Sequence, residues 1–288
     1  MRIVRALAAG GAGLAAYSFY EPYRFRLHEI DVPLGPGAPS CSILHVSDLH
    51  MKNGDRRLQA FMQALPTQLH VPPDLVVATG DLIEENAGIE PLIACLSGLK
   101  PRLGAFYVLG SHDYYQSEKR QYLKYFTGRG DRVKAPRADT AALEKGLASI
   151  GWVAVANRTE EIDTDIGRLR ISGVDDPYLK RHRTDHIQRA RDETLAVGLV
   201  HAPDVVSEWA LNGFDVVFAG HTHGGQVRIP GIGAVVTNCS LPSGLAGGLS
   251  KVGETYLHVS PGLGNGKFTP VRFGCPPEVT LLRVHGAS

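Results

Sequence analysis

Five short apolar runs in this chain each stop at an aspartate or a histidine, and that repetition narrows the fold more than any other feature. Ser42-Ile43-Leu44-His45-Val46-Ser47 leads into Asp48-Leu49-His50, and Asp74-Leu75-Val76-Val77-Ala78-Thr79 leads into Gly80-Asp81. Ala105-Phe106-Tyr107-Val108-Leu109 ends in Gly110-Ser111-His112-Asp113. Leu195-Ala196-Val197-Gly198-Leu199-Val200 delivers His201, and Val216-Val217-Phe218 precedes Ala219-Gly220-His221-Thr222-His223-Gly224-Gly225-Gln226. Runs of this length, rich in β-branched and apolar residues, read as buried strands. Neighbouring strands that all finish in reactive side chains collect them at one carboxyl-terminal edge, where α/β enzymes build their sites. On an extended strand end, residues two apart point the same way, so Asp48 with His50, and His221 with His223, are each expected to share a cavity. A His-x-His pair alone fits histidines on a surface turn; the partners at the other strand ends favour ligands.

Helical spacing of apolar residues over 56–70, 89–99, 139–150 and 203–212 supplies the crossovers, and the stripe Leu58, Phe61, Met62, Leu65 reads as core. Thr255–Val259 and Val279–Arg283 add later strands, so the expectation is one layered α/β domain. A chain of 288 residues with 43% hydrophobic and 20% charged content can bury a sizeable core, and no repeat of solenoid period interrupts it. The net charge of +1 carries no nucleic-acid signature, and nothing implies a protein partner. Cys41, Cys95, Cys239 and Cys275 lack the spacing of a zinc knuckle or a disulfide framework and read as free thiols.

A mixed Asp/His set without cysteine suits Mn, Fe or Zn, and disfavours Ca or Mg, which prefer all-oxygen shells. Asp48-x-His50, Gly80-Asp81, Gly110-Ser111-His112-Asp113, His201 and Gly220-His221-Thr222-His223 resemble the five blocks of the calcineurin-like metallophosphoesterases, over residues 42 to 226. The Gly-Gly-Gln extension, the Gly173-Val174-Asp175-Asp176-Pro177 loop and the apolar N-terminus resemble the membrane-associated branch that includes UDP-diacylglucosamine pyrophosphatases. The resemblance implies a two-sheet β-sandwich flanked by helices. It also implies two divalent ions: Asp48, His50 and His223 on one, His201 and His221 on the other, and Asp81 bridging. Such a pair clamps a phosphate and activates a water, which points to hydrolysis of a phosphate ester or pyrophosphate.

By the same resemblance His112 faces the substrate rather than an ion, and Asp113 is expected to orient it, unless Asp113 caps the following helix. Ser111 stands where the family has asparagine and is assigned to substrate contact; a hydroxyl is a poorer ligand, so the ion at His201 and His221 is expected to bind more weakly. A catalytically impaired relative acting as sensor or scaffold is the alternative function. A lactamase-type zinc hydrolase would want its histidine cluster early in the chain, and here the pair is late.

Residues 1–30 are expected to form an apolar signal-anchor segment, residues 31–40 a linker, and residues 41–288 the catalytic domain. Arg2 and Arg5 precede the apolar stretch Ala6 to Tyr20, which suits an uncleaved anchor, a cleaved signal or an interfacial helix, with the domain outside the cytoplasm. Residues 114–137 carry seven Lys or Arg against two acids, interleaved with aromatics, and read either as a cap holding an amphiphilic phosphate or a membrane surface, or as a solvated helix and loop. Lys180-Arg181-His182-Arg183 is a second, weaker candidate for phosphate contact.

Overall fold

The structure, a computed structural model, describes residues 11, 13–117 and 135–286. The first three apolar runs become β2 (Cys41–Val46), β3 (Leu75–Thr79) and β4 (Gly104–Val108), side by side and parallel, with β5 (Trp152–Ala154) beyond β4. On the other flank β14 (Glu278–Gly286) runs antiparallel to β2, and β1 (Arg26–Leu34) closes the edge, giving the order β1-β14-β2-β3-β4-β5.

The second sheet is built from β6 (Arg158–Thr164), β7 (Gly167–Gly173), β8 (Leu195–Leu199), β9 (Val216–Ala219), β12 (Gly248–Val252) and β13 (Thr255–Val259). Its order is β12-β13-β9-β8-β7-β6, with β7, β8, β9 and β13 parallel. A two-stranded hairpin, β10 (Arg228–Ile229) and β11 (Gly233–Ala234), stands outside both sheets. The helices are α1 (Arg56–Gln68), α2 (Ile89–Leu96), the single-turn α3 (Ser111–Tyr114), α4 (Thr140–Ser149) and α5 (Val206–Leu211). These are the two helix-flanked sheets that the resemblance implies.

Strand alternation decides which face meets what. Ile43, Val77, Phe106 and Val108 pack against Ile171, Val197, Leu199 and Phe218 to fill the space between the sheets. Leu44, Val76 and Ala78 point the other way, onto Leu58, Met62 and Leu65 of α1, Leu92 and Leu96 of α2, and Leu143 and Leu147 of α4. Full burial of each such leucine or methionine is worth about 2 kcal/mol relative to exposure. Both long helices begin where the sequence provides a cap: Asp55 accepts from Leu58 N, and Asp139 from Ala142 N.

The expected linker needs correcting. Residues 31–34 belong to β1, which pairs along its whole length with β14, so the irregular stretch is only 35–40. Pro33 is tolerated because β1 is an edge strand, and Ile30, Val32 and Leu34 alternate with Asp31 and Pro33, turning one side onto the core. Of the expected anchor, residues 1–10 and 12 lie outside the described residues, and residues 13–20 are helical. No helix among the described residues is long and apolar enough to cross a membrane.

Candidate metal centre

Where the central strands stop, the backbone turns abruptly. Asp48 (φ 47°), His50 (φ 42°), Asp81 (φ 49°), His221 (φ 70°) and His223 (φ 50°) all adopt left-handed conformations. Residues with a Cβ seldom do so, at a cost of about 1 kcal/mol or more each. Neither pair sits on an extended strand end, and although Asp48 and His50 still meet in one cluster, the expectation that His221 and His223 point one way is corrected. β9 ends at Ala219, and the two histidines beyond it diverge: the His223 ring centroid lies 5.0 Å from that of His50, and the His221 centroid 5.1 Å from that of His201.

Close backbone approach brings the strand ends together. A Cβ on Gly110 would lie 2.4 Å from Asp81 Oδ1 and 2.7 Å from His201 Cε1, and Gly80 has φ +83° with its α-carbon facing Gly110. Three clusters result, each with ligand atoms within 4.8 Å of one another: Asp48, His50 and His223; Asp48, Asp81 and His201; His50, Asp81 and His112. Asp48 and Asp81 thus each serve two clusters. His221 joins none of the three, and its Nε2 is 3.2 Å from the Asn238 carbonyl.

Hydrogen bonds fix which nitrogen each imidazole presents. His50 Nδ1 lies 2.7 Å from Glu84 Oε2 and His201 Nδ1 lies 2.7 Å from the Thr79 carbonyl, so both Nε2 atoms face the cluster. Among the described residues, the buried His201 Nε2 has no hydrogen-bond partner, although Asp81 Oδ1 is 3.4 Å away. Burial works against a charged His201, but Asp81 and then Asp48 override it and raise its pKa well above the ordinary value. Asp81 is held well below the carboxylate range, burial being outweighed by His201 and His112. His223 is lowered well below its usual value by burial, His50 and Arg272, which keeps it neutral. A buried pair of carboxylates that recruits a proton onto an adjacent imidazole, beside a second imidazole kept neutral, is a donor set suited to cations.

Glu84 is the residue that sequence reasoning missed. Beyond the left-handed turns a short parallel bridge pairs Met51 with Ile83, and this register sets Glu84 beside His50. The same Oε2 is 3.4 Å from His112 Nδ1, so Glu84, not Asp113, is the carboxylate against His112. Asp113 instead accepts from Leu82 N, Ile83 N and Gly110 N, tying the β3 and β4 ends together. Burial, then Asp81, pushes its pKa up to about 7 against these backbone donors. Of the two readings of Asp113, the structure has the helix cap rather than the orienting role: at the first turn of α3 its carboxylate accepts from the Gly110 amide and also clamps the β3 end. Ser111 is fully buried at the start of α3, and the next amide, His112 N, donates to Asp81 Oδ1 at 2.8 Å.

Two further buried groups support the centre. Arg272 donates to the carbonyls of Pro261, Gly262, Gly264 and Cys275, and its Nη2 is 3.4 Å from His223 Nδ1. Behind Asp48 runs a chain: His258 Nδ1 to His45 Nδ1 (2.8 Å), His45 Nε2 to Thr79 Oγ1 (2.8 Å), Thr79 Oγ1 to Ser47 Oγ (2.7 Å), and Ser47 Oγ to Asp48 Oδ2 (2.6 Å). Of the basic run, Arg181 is engaged structurally, bonding Asp175 Oδ2 at 2.8 Å and stacking 4.2 Å over the Tyr114 ring. The cap residues Lys119, Arg120 and Lys124 lie outside the described residues.

Comparison with known proteins bears on this geometry. Residues 41–225 match the calcineurin-like phosphoesterase family. The chain is 27% identical to an uncharacterized metallophosphoesterase, YkuE, of Bacillus subtilis, over 96% of this chain and 90% of that one. It is 28% identical to the UDP-2,3-diacylglucosamine pyrophosphatase LpxG of Chlamydia trachomatis, over 84% and 82%, and 24% identical to the phosphodiesterase YaeI of Escherichia coli, over 99% and 97%.

Proposed function

The chain belongs to the calcineurin-like phosphoesterase family and is a metal-dependent phosphohydrolase, and on that premise we propose that it hydrolyses phosphodiester or pyrophosphate bonds in a lipid-linked substrate at the cell envelope. The observation that carries this reading is the pair of carboxylates, Asp48 and Asp81, each shared between imidazole clusters at the joined strand ends. Asp48, His50 and His223 would hold one divalent ion, His201 and His221 the second, with Asp81 between them. Mn, Fe or Zn suits these donors. When bound, the ions supply Lewis acidity toward phosphoryl oxygens and lower the pKa of a water.

The chain's own groups do the rest. Glu84 holds His50 in the tautomer that offers Nε2, and its contact with His112 Nδ1 favours a proton on that ring. With Nδ1 against Glu84, the partly exposed His112 would donate the proton on its other nitrogen, Nε2, to the leaving oxygen. Ser111, where an amide would give a carbonyl ligand, leaves the His201 and His221 ion less firmly held. The lipid-linked substrate is supported by the LpxG relative and by the apolar N-terminal stretch, which also supports membrane association with the domain outside the cytoplasm.

The test is metal content and turnover of a generic aryl phosphodiester and of UDP-linked lipids, with the native chain and His112→Ala. The expected result is metal-dependent cleavage that His112→Ala lowers about 100-fold or more with metal retained. Loss of metal in that variant moves His112 into the ligand set, and no metal-dependent cleavage of any ester overturns the reading.

A further inference from the structure

Large apolar side chains on the surface are not scattered. Among the described residues, most of those that are well exposed fall on two segments: Leu14, Phe19 and Tyr20 near the N-terminus, and Ile229, Ile232 and Val236 on and after the β10–β11 hairpin. Ile232 is 71% exposed at the hairpin turn, where a tip closed only on itself would be expected to carry polar residues.

The two segments are far apart in sequence and are joined by one loop, 272–275. The Tyr17 ring meets Phe273 edge-on at 6.0 Å, Arg272 N donates to Ser18 O, and the buried Glu21 carboxylate accepts from Gly274 N and Cys275 N. From the other side Arg228 N donates to Phe273 O, and Val227 bridges Phe273. The loop therefore carries the N-terminal helix on one flank and the hairpin on the other. It also sits against the metal centre, since Arg272 reaches His223 and Ala234 of the hairpin packs where a Cβ on Gly225 would fall.

Charge follows the same outline. The cations along the two segments are Arg24, Arg26, which is paired with Glu278 at 2.6 Å, and the partly exposed Arg228; Glu21, the one acid in residues 11–26, is buried, and residues 227–241 contain no acid, although Asp204 accepts from Ser240 N. Apolar tips flanked by arginines, with no exposed acid within either segment, are the composition that settles into an anionic lipid headgroup region. The described end of the apolar stretch, residues 13–20, lies on this face, and its composition already suits a bilayer.

We propose that the β10–β11 hairpin and the N-terminal helix form one lipid-facing surface that docks on an anionic bilayer, with Ile229 and Ile232 entering the interface beside the mouth of the metal centre. Docking there brings phosphate esters of membrane lipids to the His221 side of the cleft without their leaving the interface. This rests on the lipid-linked substrate proposed above.

Trp152 and Trp209 are both buried, so a new surface tryptophan reports its own surroundings. Full-length Ile232→Trp is mixed with phosphatidylcholine vesicles containing phosphatidylglycerol and with matched vesicles of brominated lipid. Val71→Trp, before β3 and so away from the strand ends that form the site, is the control. The expected result is a blue shift and strong quenching at position 232 and none at 71. A second full-length variant, Ile229→Asp with Ile232→Asp, should lower turnover of a vesicle-borne phosphodiester about tenfold or more while soluble aryl phosphodiester turnover stays within twofold. Absence of quenching in Ile232→Trp, or equal turnover of vesicle-borne ester by the double variant, overturns the docking surface even when the soluble ester is cleaved. Failure of the native chain to cleave either ester overturns the proposed lipid-linked phosphodiester substrate instead, whatever the fluorescence of Ile232→Trp reports. Equal quenching in vesicles of phosphatidylcholine alone refutes the anionic preference.

Discussion

Replacing Glu84 with glutamine changes one atom and should loosen the first metal cluster. The carboxylate receives His50 Nδ1 on Oε2 at 2.7 Å and Lys267 N on Oε1 at 2.8 Å, and the Ser117 hydroxyl also donates to it. Burial alone would push its pKa up, but the hydrogen bond and charge of His50 bring it down from 4.5 to about 2. That difference corresponds to about 3 kcal/mol in favour of the ionised form. A glutamine has only one oxygen to offer. If it faces His50, the Lys267 amide meets an NH2 group; if it faces Lys267, His50 must present a bare Nδ1 and carry its proton on Nε2, where the cluster needs a lone pair. Either arrangement leaves a buried donor unsatisfied or the ligand in the wrong tautomer. The expected loss is about 10- to 100-fold in metal affinity, or roughly 1.4–2.7 kcal/mol. Competition with a fluorescent chelator for Mn and Zn, together with calorimetric titration, measures it directly. An affinity within twofold of the native chain, in a variant with native circular dichroism, would refute the assignment of Glu84 as the residue that sets the His50 tautomer.

Gly110→Ala should cost more than about 2 kcal/mol in urea unfolding and deplete metal, because the new methyl would enter the space of Asp81 Oδ1 and His201; native stability with full metal would contradict the close-packed strand ends. The buried pair His45 and His258 predicts an acid limb. Burial lowers His258 from 6.5 to about 4 and lowers His45 well below 6.5, so the folded state binds fewer protons than the unfolded chain between pH 6.5 and 4. Stability is therefore full above about pH 6.5; as pH drops to 4, His258 alone takes away about 3 kcal/mol and His45 adds to the loss. Chemical unfolding at a series of pH values reads this slope, which His258→Asn should flatten; an unchanged slope in the variant would assign the limb to other groups.

The centre is legible in the sequence where each strand carries its own evidence. An apolar run ending in Asp or His is a local signal, so β2, β3, β4, β8 and β9, with Asp48, His50, Asp81, His201 and His223, can be read residue by residue. β1 is not legible because its stabilisation is pairing with β14, nearly the whole chain away, and because Pro33 disguises an edge strand. Glu84 escapes for a related reason: its partner is set by a bridge between Met51 and Ile83 that no local pattern announces. Arg272 reads as an ordinary surface charge until the carbonyls of the 261–264 loop close around it. Asp113 misleads because adjacency to His112 in sequence suggests contact, whereas its carboxylate accepts from the amides of the neighbouring strand end.

The left-handed turns at Asp48, His50, Asp81, His221 and His223 have a consequence for how such a chain can change. Five positions, each disfavoured by about 1 kcal/mol or more, together hold an energy comparable to a sizeable fraction of what keeps a domain folded. Glycine would relax the backbone at every one of them and would remove a donor at the same stroke. Selection for heat resistance alone therefore drives this chain toward inactivity at the very residues that define it, and stabilising libraries made from it should be enriched in damaged centres unless turnover is screened in parallel.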